Sequence, residues 1–209
     1  MKKIIILSIL VVSLFGWGKG GMQGNWFENI LNQYPTQSLS TAEKNALNHM
    51  AEEEKLARDV YITLYNKWGL LPFKNIQKAE QHHMDMVDLL LQRYGMRINN
   101  LAVGEFHNKA VKNLYEKLVK MGSKSQIEAL KVGALIEDLD IADLEKYMNE
   151  ADNKDILFVF RNLTKGSRNH MRIFMNWLKK YNQTYIPQYI SENKFSEIIN
   201  SPFERGMIR

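Results

Sequence analysis

Apolar residues recur three and four positions apart along four long stretches of the chain, the spacing that lines one face of an α-helix. The first stretch covers about 40–67 and carries Leu47, Met50, Ala57, Tyr61 and Leu64 on its stripe. It opens with Ser40-Thr41-Ala42-Glu43, a capping box in which serine and glutamate satisfy each other's backbone amides. The second runs from near Asn75 to Tyr94-Gly95, with Ile76, Ala79, Met86 and Leu90 on one face. The third opens with another capping pattern, Ser125-Gln126-Ile127-Glu128, and continues through Leu130, Ala134, Ile141, Leu144 and Met148. The fourth covers about 152–181, with Ile156, Val159, Leu163, Gly166, Ile173 and Trp177. Pro35, Pro72, Pro187 and Pro202 fall at junctions or in the tail, where they punctuate helices without breaking one.

Connection lengths turn these helices into an architecture. Short turns join the first to the second and the third to the fourth, so each pair is expected to form an antiparallel hairpin. The segment between the pairs, 96–124, is far longer than a helix–helix turn. It holds its own helical stretch, 105–121, with Phe106, Ala110, Leu114 and Leu118 spaced to pack on the rest. Two antiparallel hairpins joined by a long crossover with an extra helix is the connectivity of a ferritin-like four-helix bundle. The expected fold class is therefore all-α, with the bundle over 40–181. The preceding 22–39 reads as an irregular lead-in whose Trp26 and Phe27 pack on the domain. The tail, 182–209, is expected to wrap the outside through Tyr185, Ile186, Tyr189, Phe195 and Ile198.

The N-terminus changes the charge picture. Met1, Lys2 and Lys3 precede an apolar run over 4–17 and a break at Gly18-Lys19-Gly20-Gly21, the layout of a secretory signal peptide over 1–21. The run is shorter than the ~20 residues of a spanning helix. Export to the periplasm or beyond, with cleavage near Gly20 or Gly21 and no membrane span afterwards, is the expectation; an uncleaved N-terminal anchor is the alternative. The full chain has 28 basic and 23 acidic residues, formally +5, which invites a nucleic-acid partner. Lys2, Lys3 and Lys19 leave with the signal and no acid does, so 25 basic residues face 23 acids, a net of +2. With no Lys/Arg run and no aromatic-basic interleaving, nucleic acid is set aside. Cys is 0, which excludes disulfides, thiolate metal sites and cysteine nucleophiles. Any metal must bind through His, carboxylate or Met.

Each apolar stripe is interrupted by an ionisable residue, namely Glu54, His83, Glu137 and His170. Burying several carboxylates together is costly unless cations compensate, and two divalent metals would do so. Glu80 and His83 stand at i and i+3, one turn apart on one face, so both can reach one metal. Glu53 is an alternative to Glu54, and Asp140 lies one turn beyond Glu137. His82-His83-Met84-Asp85-Met86, in a chain with 11 Met, raises copper as a candidate. Helical geometry argues against it, since Met86 shares the apolar stripe while His82 and Met84 point elsewhere. His49 and His107 read as surface or boundary residues.

The segments EEEKLARDVY, FKNIQKAEQHHMDMVDLLL, EALKVGALIEDLDIADL and GSRNHMRIF resemble DUF2202, an uncharacterised branch of the ferritin-like superfamily. The resemblance extends from about Ser40 into the tail. It implies a ferritin-like bundle with a dinuclear metal site formed by Glu54 (or Glu53), Glu80, His83, Glu137 and His170. A second full E-x-x-H would need a carboxylate where Ser167 stands, so one bridging carboxylate is missing or replaced, with Asp140 and Asp138 the nearest candidates. The leading expectation is an exported di-iron protein, or one mixing iron with manganese. It would act as an oxidoreductase that reduces O2 or peroxide or oxidises iron. Tyr61 is then either a redox relay or, more plainly, an aromatic filling the seam. The alternatives are a non-catalytic protein that binds or sequesters iron, manganese or copper, and a structural module with a degenerate site. A homodimer is a candidate assembly.

Overall fold

A computed structural model of the chain describes residues 23–97 and 101–208. The segment expected to be a signal peptide, 1–21, lies outside them. The described residues form seven helices and no strands: α1 Gln23–Leu31, α2 Thr41–Trp68, α3 Leu71–Arg93, α4 Lys109–Gly122, α5 Gln126–Glu150, α6 Lys154–Lys180 and α7 Glu192–Asn200. The all-α expectation holds.

Local chemistry sets the helix ends. Ser40 and Glu43 close the capping box, with Ser40 N–H donating to Glu43 at 2.9 Å and Glu43 N–H to Ser40 Oγ at 3.1 Å. Gly69, at φ 66°, terminates α2 in the left-handed conformation that glycine adopts without strain. α3 begins four residues earlier than the spacing predicts, because Pro72 sits in its first turn, where a missing N–H costs nothing. Ser125 caps α5 by accepting from Glu128 N–H, while the Glu128 carboxylate takes Lys131 at 3.3 Å.

The lead-in expected to be irregular contains α1, with Phe27, Ile30 and Leu31 buried and Trp26 exposed. Phe27 and Tyr34 stack on Phe158 of α6. In the crossover, the helix starts at Lys109 rather than 105; Val111, Leu118 and Gly122 are its buried residues, and Ala110 is exposed. In the tail Tyr185, Phe195 and Ile198 are buried as expected, but Ile186 and Tyr189 are exposed.

Paired residues give the helix directions. Glu54 meets His83 and Arg58 meets Gln81, so α2 and α3 run antiparallel. The pairs Gly133–Phe174 and Asp140–Ser167 in α5–α6, His49–Asp143 and Tyr61–Gly133 in α2–α5, and Glu80–His170 and Tyr94–Asp155 in α3–α6 show the same reversal. The four long helices thus form a ring of antiparallel neighbours, α2–α3–α6–α5, with α4 against α2 and α5, and α7 against α6. Within the ring lie two apolar clusters. One contains Leu56, Val60, Tyr61, Leu64, Phe73, Ile76, Phe174 and Leu178. The other contains Leu47, Met50, Val87, Leu90, Leu144, Ile156 and Leu163. Every long helix crosses between them through buried polar residues: Glu54 on α2, Glu80 and His83 on α3, Glu137 and Asp140 on α5, Ser167 and His170 on α6.

The capping box reaches beyond its own helix. Glu43 also accepts from the backbone N–H groups of Asp152 and Asn153, at 3.2 and 3.0 Å, tying the start of α2 to the α5–α6 turn. Ser40→Ala, which removes one cap acceptor, is expected to cost about 1 kcal/mol. Glu43→Ala, which orphans three amides at a buried position, is expected to cost roughly 2–3 kcal/mol. Denaturant midpoints at unchanged m-value check both.

Candidate metal centre

Glu80 is the hinge of the polar layer. One oxygen, Oε2, lies 2.8 Å from Nδ1 of His83, and the other, Oε1, lies 2.9 Å from Nδ1 of His170. His83 also meets Glu54 Oε2 at 3.2 Å, and His170 lies 3.4 Å from Glu137 Oε2. Two groups of potential ligands result, Glu54–Glu80–His83 and Glu80–Glu137–His170, each with ligand atoms within 4.8 Å of one another. They share Glu80. The two imidazole rings stack at 5.4 Å between centroids. All five side chains are buried.

The surroundings fix these side chains. Tyr61 is fully buried and donates its hydroxyl to Glu137 Oε1 at 2.5 Å. Its ring packs against Phe73 and Phe174, an aromatic floor beneath the cluster. On the opposite wall, His83 Nε2 lies where a Cβ on Gly166 would stand, 2.3 Å from it. Gly166 therefore leaves the opening that lets the α3 imidazole sit against α6, a role its place on the apolar stripe does not announce.

Ser167 is hydrogen-bonded to Asp140 Oδ2 and also lies 3.0 Å from the Leu163 carbonyl. One hydroxyl proton cannot serve both acceptors. Burial and the charges of Glu54 and Glu53 push the Asp140 carboxyl well above its usual range. Asp138, the other candidate to replace the missing carboxylate, does not do so. It faces away from the cluster and accepts from Tyr185 Oη at 2.7 Å and from the N–H groups of Gln188, Tyr189 and Ile190 at 2.6, 3.1 and 2.9 Å. No feature of its own stretch distinguishes that anchoring role from a site role. Glu53 lies beside His49 rather than His83. In the His82–Met86 segment, His82 is exposed, Met84 is buried and Met86 is half-buried, the reverse of the expectation for the two methionines. His83 thus turns to Glu80 and Glu54 while His82 stays at the surface.

The cluster is electrostatically unsettled. Burial raises the Glu54 and Glu137 carboxyls to about 7, against the opposing pull of His83 and His170 respectively. Burial also raises Glu80, but the two histidines outweigh it and hold the group below its usual range. The carboxylates overcome burial at His83, raising it to about 10, and at His170, raising it well above its usual range. Glu54 Oε1 and Asp140 Oδ1 are buried without a hydrogen-bond partner, and His170 Nδ1, although 2.9 Å from Glu80, makes no well-aligned hydrogen bond. Carboxylate oxygens and imidazole nitrogens left unmatched in this way are the donor set that a hard or borderline divalent cation takes.

Comparison with known proteins adds relatives. A family described as "Uncharacterized protein domain (DUF2202)" matches residues 43–202. The uncharacterized protein MJ0754 of Methanocaldococcus jannaschii is 56% identical over 181 residues, 86% of this chain and 98% of that protein. The crystal structure of hypothetical protein MJ0754 from Methanococcus jannaschii matches with a TM-score of 0.80 over 81% of this chain and 98% of that one.

Two outcomes test this geometry. Glu54 and Glu137 hold protons more tightly folded than unfolded, so the stability they lend is complete below their usual 4.5 and lost as pH rises through about 7. The contribution of His83 is complete below 6.5 and lost as pH rises through about 10. Thermal scans of metal-free protein are expected to show Tm falling from pH 5 to pH 10, with Glu54→Gln flattening the limb between 5 and 7. Gly166→Ala should destabilise by about 1–3 kcal/mol through overpacking against His83, despite a helix-propensity gain of up to about 1 kcal/mol. A stabilised Gly166→Ala variant in urea titration would refute the close approach.

Proposed function

The chain belongs to the DUF2202 family, and from that premise we propose that it is an exported ferritin-like protein whose four long helices hold a dinuclear iron centre that reduces O2 or peroxide. The observation that carries the reading is Glu80, buried with one oxygen against each of two histidines, and so able to bridge two ions. Glu54 and His83 would complete one ion's protein ligands, Glu137 and His170 the other's. Asp140, held by Ser167, is the reserve carboxylate.

Charge supports two cations rather than one. Glu54, Glu80, Glu137 and Asp140 carry four negative charges when ionised, which two divalent ions balance with both imidazoles neutral. Without metal, the same neutrality needs protons on several of these groups, and that is the arrangement their displaced pKa values describe. Donor chemistry supports iron or manganese, since imidazole and carboxylate suit both. The helix order supports the ferritin-like description: an α2–α3 hairpin, a crossover carrying α4, and an α5–α6 hairpin.

When bound, two ferrous ions supply the two electrons that reduction of an O–O bond consumes. The residues of this chain exclude water and hold the ligands in place. Tyr61, hydrogen-bonded to Glu137, orients that carboxylate and is positioned to share a proton with it.

Loading the purified chain anaerobically with Fe(II), followed by metal mass spectrometry, is expected to give two irons per chain. His83→Ala and His170→Ala should each remove at least one. On mixing with O2 or peroxide, bound Fe(II) should oxidise at least tenfold faster than free Fe(II). No bound metal would overturn the centre, and bound iron that consumes neither oxidant would leave a sequestering protein.

A further inference from the structure

Glu53 and Glu54 are neighbours on α2, about 100° apart around the helix, and they face different partners. Glu54 turns to His83. Glu53 turns to His49, one turn back on α2, with Oε2 3.4 Å from Nε2. Asp143 of α5 approaches the same nitrogen, its Oδ2 3.2 Å away. The three residues offer ligand atoms within 4.8 Å of one another. Tyr147 packs edge-on to the imidazole at 5.5 Å between centroids, which limits its rotation.

The protein leaves this trio incompletely satisfied. Glu53 is 4% exposed, and neither of its oxygens has a hydrogen-bond partner. A proton on His49 Nε2 makes one directed hydrogen bond, and the geometry gives it to Asp143. A buried carboxylate without hydrogen bonds is a costly arrangement that a bound cation removes. A single divalent ion drawing in Nε2 and one oxygen from each carboxylate would use all three at once, with positions left for water.

Access differs from that of the interior cluster. His49 is half-buried and lines an open pocket of about 380 Å³ together with Asn45, Asn48 and His107. We propose that His49, Glu53 and Asp143 form a separate, solvent-accessible site for one divalent transition-metal ion. One imidazole and two carboxylates select Mn(II), Fe(II), Co(II) or Zn(II) over soft Cu(I). The site is independent of the dinuclear reading, because it shares no ligand with Glu54, Glu80, His83, Glu137 or His170.

Co(II) titration of the purified chain, read by calorimetry, visible absorbance and metal mass spectrometry, tests it. The doubly substituted His49→Ala/Asp143→Asn chain is expected to lose one Co(II) equivalent relative to wild type. The His83→Ala/His170→Ala chain is expected to keep that equivalent. Glu53→Gln, which preserves shape, should weaken the same equivalent at least tenfold. Circular dichroism establishes that each variant is folded. Equal stoichiometry and affinity in wild type and the His49→Ala/Asp143→Asn chain would overturn the proposal. An equivalent lost only with His49 and Asp143, in a chain where changing His83 and His170 removes nothing, would uphold it while the dinuclear centre fails.

Discussion

Everything in the ring of helices is arranged around one costly feature: carboxylates and imidazoles buried together midway along it. Carboxylates taken from water repel one another and lose hydration. Two apolar clusters, one on either side of the polar layer, stabilise the ring. The layer itself is kept in shape by contacts that leave each residue little freedom. Glu80 is divided between His83 and His170, Tyr61 fixes Glu137, and the Gly166 backbone sets how near His83 can come. Apolar replacements at these positions would relieve the cost, and their absence from the middle of all four helices is what makes a functional reading compelling.

Neighbouring acids do different jobs because a helix turns about 100° per residue. On α2, Glu54 turns to His83 while Asp59, one turn beyond Lys55, pairs with it, both fully buried. Lys55 also donates to the Ala102 carbonyl at 2.8 Å, and Asp59 accepts from Gly104 N–H at 3.0 Å, which ties the crossover to α2. Arg58 adds a second ion pair to Asp59 at 2.8 Å. On α5, Glu137 faces His170, Asp138 the tail and Asp140 Ser167. Acidity in these stretches thus divides between the site and the ties that hold loops against it.

Much of this was legible in the sequence. The Ser40–Glu43 box set the start of α2, and one charged interruption per stripe picked out residues that the fold brings together. What stayed hidden came down to single steps around a helix. Val87 and Phe174 face the core where Met86 and Ile173 were expected, because a shift of one residue still satisfies three-and-four spacing. Asp138 and Asp140 could not be told apart, since both sit near Glu137 and their partners are remote in sequence. Spacing alone does not separate Glu53 from Glu54; their partners do, His49 for the first and His83 for the second. Periodicity specifies a face to within a residue, whereas ligand geometry depends on which residue of that face points where.

The grip of Asp138 on the tail has a consequence for the order in which the molecule is made. Its four donors come from residues 185–190, the last of them the Ile190 amide at 2.9 Å. A ribosome that has released α6 has still not supplied them. Until the chain passes residue 190, α5 carries a carboxylate destined for burial, next to Glu137, with none of these partners. The segment that follows α6 therefore closes the shell around Asp138, beside Glu137, and that part of the interior is finished only once residues 185–190 are in place.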